Sequence, residues 1–211
     1  MVQMMTNGVY RFCEWVTRLA YLNILWITFS MAGLLLFGFF PATAALFSVT
    51  RRWTMGEWDI PVFRTFWTTY KTEFWRANRL GLIIVLPAVL FLANFMIFEQ
   101  YGAPLPFMPF LLTSFFLLYG VVALFLFPVY VHYNVTLKQT VKYALAIGLL
   151  RPIQTVIMIA SLIGMTYIIV QHITFVLFFS GSAFGFVLMW FAMKAFSKVT
   201  EKQGEASLQQ T

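Results

Sequence analysis

The sequence predicts an all-α integral membrane protein of about five transmembrane helices with one or two interfacial amphipathic helices. Three observations carry this fold class. Hydrophobic residues make up 61% of the 211 residues and charged residues only 10%, where a soluble domain holds about 25% charged residues. The apolar residues are gathered into runs long enough to span a bilayer, which takes about 20 residues as a helix. The basic residues fall between those runs, as in loops retained on the cytoplasmic side. A mean hydropathy of +0.83 leaves too few polar side chains to cover a water-facing globule. Soluble enzyme, disordered tail and free nucleic-acid-binding domain are therefore excluded, and the net charge of +7 reflects orientation in a membrane rather than affinity for nucleic acid. The chain reads as a single membrane domain over 1–211.

The first apolar run, 19–50, contains no charged residue. It is too long for one span and short for two, so the first span is placed at 20–40, with Pro41 breaking the run because proline lacks the amide hydrogen. A hairpin or re-entrant segment is the alternative for this run, with Gly38 and Pro41 as its break and both chain termini then on one side. Ala42-Thr43-Ala44 looks like a signal cleavage site, but the preceding apolar stretch exceeds a signal core, so the run is read as uncleaved. Further spans are expected at 80–98, 107–131, 153–170 and 173–193.

The segment 51–79 carries Arg51, Arg52, Arg64, Lys71, Arg76 and Arg79, and 132–152 carries Lys138, Lys142 and Arg151. The tail carries Lys194, Lys198 and Lys202, whereas 99–106 has Glu99 and no cation. These placements put 51–79, 132–152 and the C-terminus in the cytoplasm. Five spans would leave the N-terminus outside, against the mildly basic Arg11 and Arg18.

Within 51–79, Phe63, Phe66, Trp67, Tyr70, Phe74 and Ala77 recur at helical spacing on one face, with Arg64, Thr68, Lys71, Thr72 and Arg79 on the other. Such a helix lies in the membrane interface. Asp59-Ile60-Pro61 is a reasonable helix start. Two readings stay open: an anchor that pins the next span, or a partner-docking surface built from Arg51, Arg52, Trp53, Glu57, Asp59, Phe63, Phe66, Trp67 and Phe74. Glu57, Asp59 and Glu73 can pair with the local arginines or with a partner. Thr136-Leu137-Lys138-Gln139 matches a capping box and starts a second surface helix over 137–150.

No catalytic constellation, phosphate loop or metal set is legible. His132 and His172 lack a nearby acid in sequence, and the single Cys13 excludes an intramolecular disulfide. The expectation is a non-enzyme with no cofactor and no metal. The expected spans hold no ionisable group in their interiors, only amides and hydroxyls, of which Asn23 and Asn94 are the costliest to bury and the best candidates for a specific helix contact. Gly181 and Gly185 in the last span, and Ala160 and Gly164 in the one before, let a neighbouring helix approach closely. That neighbour lies within the same chain, in a second copy forming a homo-oligomer, or in a partner permease.

One block is more specific. Gly38-Phe39-Phe40-Pro41-Ala42-Thr43-Ala44-Ala45-Leu46-Phe47 leads into Arg51-Arg52-Trp53, Gly56-Glu57 and Asp59, followed by Phe63, Phe66, Phe74, Ala77 and Asn78. Over 20–80 this resembles the YesL family of small bacterial integral membrane proteins, a group with no assigned activity. The resemblance implies a multi-span plasma-membrane protein whose genes commonly lie beside carbohydrate ABC importers. It implies an accessory of oligosaccharide import or its sensing, in contact with permease subunits and the lipid bilayer. A small transporter or channel acting alone on a neutral solute is the alternative, suggested by the neutral polar groups in the spans.

Overall fold

The computed structural model describes residues 2–102, 106–133, 135–171 and 173–208, with the backbone alone at 2–9, 173–177 and 198–208. His172, and the side chains of Lys198 and Lys202, lie outside the described residues. Among the described residues the chain forms eight α-helices and no strand: α1 (Val2–Ala32), α2 (Phe39–Thr54), α3 (Val62–Thr72), α4 (Phe74–Tyr101), α5 (Met108–His132), α6 (Leu137–Leu150), α7 (Pro152–Gln171) and α8 (Ile173–Leu208). The all-α membrane class stands. Among the described residues four segments are long and apolar enough to cross a bilayer: Phe74–Tyr101, Met108–His132, Pro152–Gln171 and Phe178–Ser197.

The single span expected at 20–40 is replaced by a helical hairpin. The chain turns at 33–38 and comes back as α2, so the break precedes Pro41, which sits in the first turn of α2 where its missing N–H costs little. The two glycines make the turn: a Cβ on Gly33 would stand 2.3 Å from the Gly38 Cα. Leu34 and Leu35 both adopt φ 59°, a left-handed conformation costing about 1–2 kcal/mol per non-glycine residue. The Leu35 N–H donates to the Ser30 carbonyl at 2.9 Å and the Leu34 N–H to the Met31 carbonyl at 3.0 Å, the pattern of a Schellman cap with leucine where glycine is usual. Asn78 of α4 donates from Nδ2 to the Phe37 carbonyl at 3.0 Å and so ties α4 to the tip. The backbone of the turn is thus largely satisfied while Leu34, Leu36 and Phe37 stay exposed.

The two hairpin arms are held at both ends. Trp26 Nε1 donates to Thr43 Oγ1 at 3.1 Å near the tip, and Trp15 meets Trp53 at 6.2 Å between ring centroids near the open end. Helix α2 forms the centre of the fold, with Ala42, Ala44, Ala45, Leu46, Val49 and Trp53 buried. Its alanines allow α8, α5 and the start of α4 to close around it. Phe47 stacks on Phe127 of α5 at 5.7 Å, Leu46 fills the place of a Gly185 side chain, and Phe40 fills that of Gly81. Beyond Gly81, α4 runs on to Tyr101, about 30 Å further than the tip. There it meets α5 through Phe91 on Phe116 at 4.1 Å and through the Tyr119 hydroxyl on the Ile84 carbonyl at 2.6 Å. The hairpin therefore stops short of the far end of α4 and α5.

The aromatic helix expected within 51–79 is divided. α3 ends at Thr72, Glu73 joins it to α4, and Phe74, Ala77 and Asn78 already belong to α4. The reason is packing, since Ala77 and Leu80 are buried. The aromatic face of α3 turns largely inward rather than to lipid: Phe66, Trp67 and Tyr70 surround Phe29 of α1 at 5.4, 5.2 and 5.2 Å. The second surface helix matches its expected bounds, and its capping box is formed, with the Thr136 N–H donating to Gln139 Oε1 at 3.1 Å. Gly148 of α6 receives Val121 of α5.

Candidate functional site

At the open end of the hairpin, α2, α3, the first turn of α4 and the last turn of α5 leave a cavity of about 420 Å³. Ser48, Arg51, Thr69, Thr72, Glu73, Arg76, Tyr130, His132, Tyr133 and the apolar Val131 and Val135 line it. The site is assembled from segments far apart in sequence because α2 and α5 both end here. Pro128 lies inside α5, where it removes a ladder hydrogen bond one turn before the site.

Each charge has a definable partner. Glu73 Oε2 accepts from the Tyr130 hydroxyl and lies 3.8 Å from Arg76 Nη1. Arg76 Nη2 donates to the Val135 carbonyl at 3.4 Å, and its guanidinium lies 5.9 Å from the Tyr130 ring centroid. Arg51 Nε donates to His132 Nδ1 at 3.3 Å. A guanidinium can only donate, so Nδ1 carries the lone pair and the imidazole is neutral, with its proton on Nε2. Thr69 Oγ1 donates to the Thr65 carbonyl of its own helix at 3.0 Å and stands 3.3 Å from Ser48 Oγ, from which it can accept. Burial, and secondarily Tyr143, holds the Tyr133 hydroxyl above its usual range, so it remains a neutral donor.

A second feature on the same end is the exposed turn 55–59. Gly56, at φ 91°, allows the reversal. Arg18 of α1 holds the turn by donating to the Trp58 carbonyl and pairing with Asp59 Oδ1 at 3.3 Å while also pairing with Glu14. Trp15 packs on Trp58 at 4.8 Å. Asp59 is thus not the cap of α3, whose N-cap is Pro61. The tie runs to Arg18 rather than to Arg51 or Arg52.

The sequence-derived docking set is split by the fold. Glu57, Asp59, Arg52 and Phe63 are exposed. Trp53 and Phe66 are buried in the core, at 1% and 0% exposure, and Phe74 and Trp67 are half-buried; Trp53 and Phe66 are therefore packing residues and cannot meet a partner. Gly181 and Gly185 face α1 and α2, where Trp26 and Leu46 occupy the space of their absent side chains, so this pair serves packing within the chain. Ala160 and Gly164 are exposed on α7. Asn23 is fully buried and its Oδ1 accepts from the Gly181 and Ser182 N–H groups at 2.8 and 3.0 Å. Asn94 behaves differently: its amide donates to the Leu90 carbonyl of its own helix at 2.8 Å.

Ser48, Tyr130 and Tyr133 carry no spacing signal in the sequence, since they converge only after α2 and α5 pack. The one available hint is position. Tyr130 and His132 are polar-tipped residues at the end of a long apolar run, beside the basic 51–79 segment. Among the described residues no group of three His, Cys, Asp or Glu side chains could hold a metal ion.

Comparison with known proteins places these features in a wider set. The family described as "Protein of unknown function, DUF624" matches residues 19–95, which cover the last part of α1, the turn, α2, α3 and most of α4. The chain is 42% identical over 204 residues to "Uncharacterized protein YesL" of Bacillus subtilis (strain 168), covering 96% of each chain. It is 35% identical over 205 residues to "Uncharacterized protein YesV" of the same organism, covering 95% of this chain and 97% of that one. A third relative there, "Uncharacterized protein YteU", is 34% identical over 195 residues, covering 92% of this chain and 88% of its own. No solved structure matches the chain.

Proposed function

The chain belongs to the YesL family of uncharacterised membrane proteins, and from that premise we propose that it is a non-enzymatic accessory of a carbohydrate ABC importer in the bacterial plasma membrane. The observation that carries the reading is the exposed turn Glu57-Trp58-Asp59, clamped to α1 by Arg18 and so presented as a fixed surface. An aromatic side chain beside two carboxylates suits a basic cytoplasmic loop of a permease. The polar groups inside the helices favour a helper over a carrier. Asn94, Thr113, Ser114 and Ser161 each bond to a carbonyl of their own helix, which supplies no polar path.

Orientation belongs to the same proposal. Four crossings and a hairpin that does not cross put both termini, the 51–79 segment and α6 in the cytoplasm. Arg11, Arg18, Arg51 and Arg52 then all gather on the positive side. The apolar tip Leu34–Phe37 dips into lipid from that side. Its depth is limited by Lys71 and Arg79, exposed next to tip-contacting residues, whose long side chains can snorkel to the headgroups.

Three experiments test the reading. Co-expression with a carbohydrate ABC importer from the same genome should let the permease co-purify, and Trp58→Ala with Glu57→Lys should reduce both capture and sugar uptake; absence of capture together with unaltered uptake would remove the proposal. In liposomes the protein alone should pass no more oligosaccharide than empty vesicles, and flux above that background would favour the transporter alternative. Cys13 is exposed and offers a native topology probe. A membrane-impermeant maleimide should label it in inverted vesicles and not in intact cells, and the opposite pattern would reverse the orientation of the hairpin.

A further inference from the structure

We infer that the cavity between α2, α3, α4 and α5 is a binding site for a phosphate group. The argument is an inventory of donors and acceptors. The one carboxylate on its wall, Glu73, is already covered by the Tyr130 hydroxyl and by Arg76. Arg76 spends its other Nη on the Val135 carbonyl. Arg51 is different: only its Nε is engaged, and by a neutral imidazole. Its two Nη groups meet no acceptor among the described residues. Ser48 Oγ stands 3.3 Å from Thr69 Oγ1, whose own proton bonds the Thr65 carbonyl at 3.0 Å, so the Ser48 proton can turn either to Thr69 or to a ligand. Tyr133 contributes a neutral hydroxyl and His132 the proton on Nε2, again with no acceptor among the described residues.

The cavity therefore carries a surplus of donors and a residual positive charge. Three helix C-termini, those of α2, α3 and α5, end beside it and would by themselves repel an anion. At about half a charge each, and partly offset by the N-terminus of α4 at Glu73, they about cancel the charge of Arg51 at a distance, so selection rests on the hydrogen-bond donors that Arg51 and its neighbours present at the wall. A ligand that satisfies this wall is rich in acceptors and negatively charged, and a guanidinium with both Nη groups free suits a phosphate in bidentate geometry. The volume of about 420 Å³ falls in the ordinary range for small-ligand pockets and takes more than a bare ion.

Position leaves two sources for the phosphate. His132 ends the apolar run of α5, and Arg76 lies one turn before the apolar run of α4, so the cavity sits where phospholipid headgroups begin. Basic pockets at this depth on the cytoplasmic side are characteristic sites for anionic lipid headgroups. A phosphorylated solute from the cytoplasm presents the same chemistry.

The test uses the full-length protein in a neutral detergent and in nanodiscs. The probes are sn-glycerol 3-phosphate, and nanodiscs of phosphatidylglycerol mixed with phosphatidylcholine against phosphatidylcholine alone. Chloride at matched ionic strength is the control for screening. A rise in thermal midpoint with glycerol phosphate, lost or weakened at least tenfold in apparent affinity by Arg51→Gln, supports a soluble phosphate ligand. Stabilisation by phosphatidylglycerol alone, again abolished by Arg51→Gln, supports the lipid headgroup. Should Arg51→Gln fail to fold, Ser48→Ala removes one donor without a charge and should weaken the same response severalfold. The inference fails if neither probe exceeds its control, or if the responses persist unchanged in the folded variants.

Discussion

Replacing Gly33 by alanine should cost the protein its folded hairpin, seen as loss of monodisperse material and a lower thermal midpoint in mild detergent. The added Cβ would stand 2.3 Å from the Gly38 Cα and 2.5 Å from the Gly38 N, both backbone atoms of the same turn. No rotamer change relieves such a contact. The arms would have to part, and parting them breaks the Leu35 to Ser30 bond and the Asn78 tie to Phe37. Overpacking commonly costs about 1–3 kcal/mol, and a rigid obstacle places this change at the upper end, near 3 kcal/mol. The control runs the other way. Leu34→Gly removes a left-handed leucine, worth about 1–2 kcal/mol of relief, and should be tolerated in detergent because Leu34 is exposed. Equal midpoints for Gly33→Ala and the unaltered protein would show that the turn is not held by the approach of the two glycines.

Much of this architecture is legible in the sequence because spanning helices announce themselves by length alone. α4, α5, α7 and α8 each contain a long apolar run, and α6 announces its start through Thr136 and Gln139. The α1–α2 hairpin is legible only in part. Its apolar run has the composition of a span, and Gly38 is a visible break. Nothing in composition tells that Gly33 meets Gly38, or that two leucines take a glycine conformation. The aromatic stripe of α3 misleads for a related reason. Periodicity shows that Phe66 and Tyr70 share a face with Phe63, but lipid and a protein core are equally apolar, so the pattern cannot say which of them the face meets. The cavity is the least legible feature. Ser48, Arg51, Glu73, Tyr130 and His132 come from three segments whose register against one another is set by side-chain packing such as Phe47 on Phe127.

Asn23→Leu should destabilise the protein by about 2 kcal/mol, while Asn94→Leu should leave it unchanged or slightly more stable in lipid. The sequence ranks these two amides alike; their surroundings separate them. Asn23 is fully buried and a single oxygen accepts from two consecutive amides of α8. Leucine there removes the acceptor and sets a branched apolar side chain against Gly181, where Trp26 already fills the space. A buried donor left unsatisfied costs about 1–3 kcal/mol, whereas interhelical bonds in membranes average nearer 0.6 kcal/mol because alternative partners are at hand. The value expected for Asn23 lies above that average because two donors lose one shared acceptor at once and the site has no exposed surface through which another could enter. Asn94 makes no such bridge, and its amide only shields a carbonyl of its own helix. Chemical unfolding of both variants in the same detergent measures the difference directly. If Asn23→Leu proves as stable as Asn94→Leu, α1 and α8 are joined by shape alone, and the amide bridge contributes nothing to holding the hairpin in the bundle.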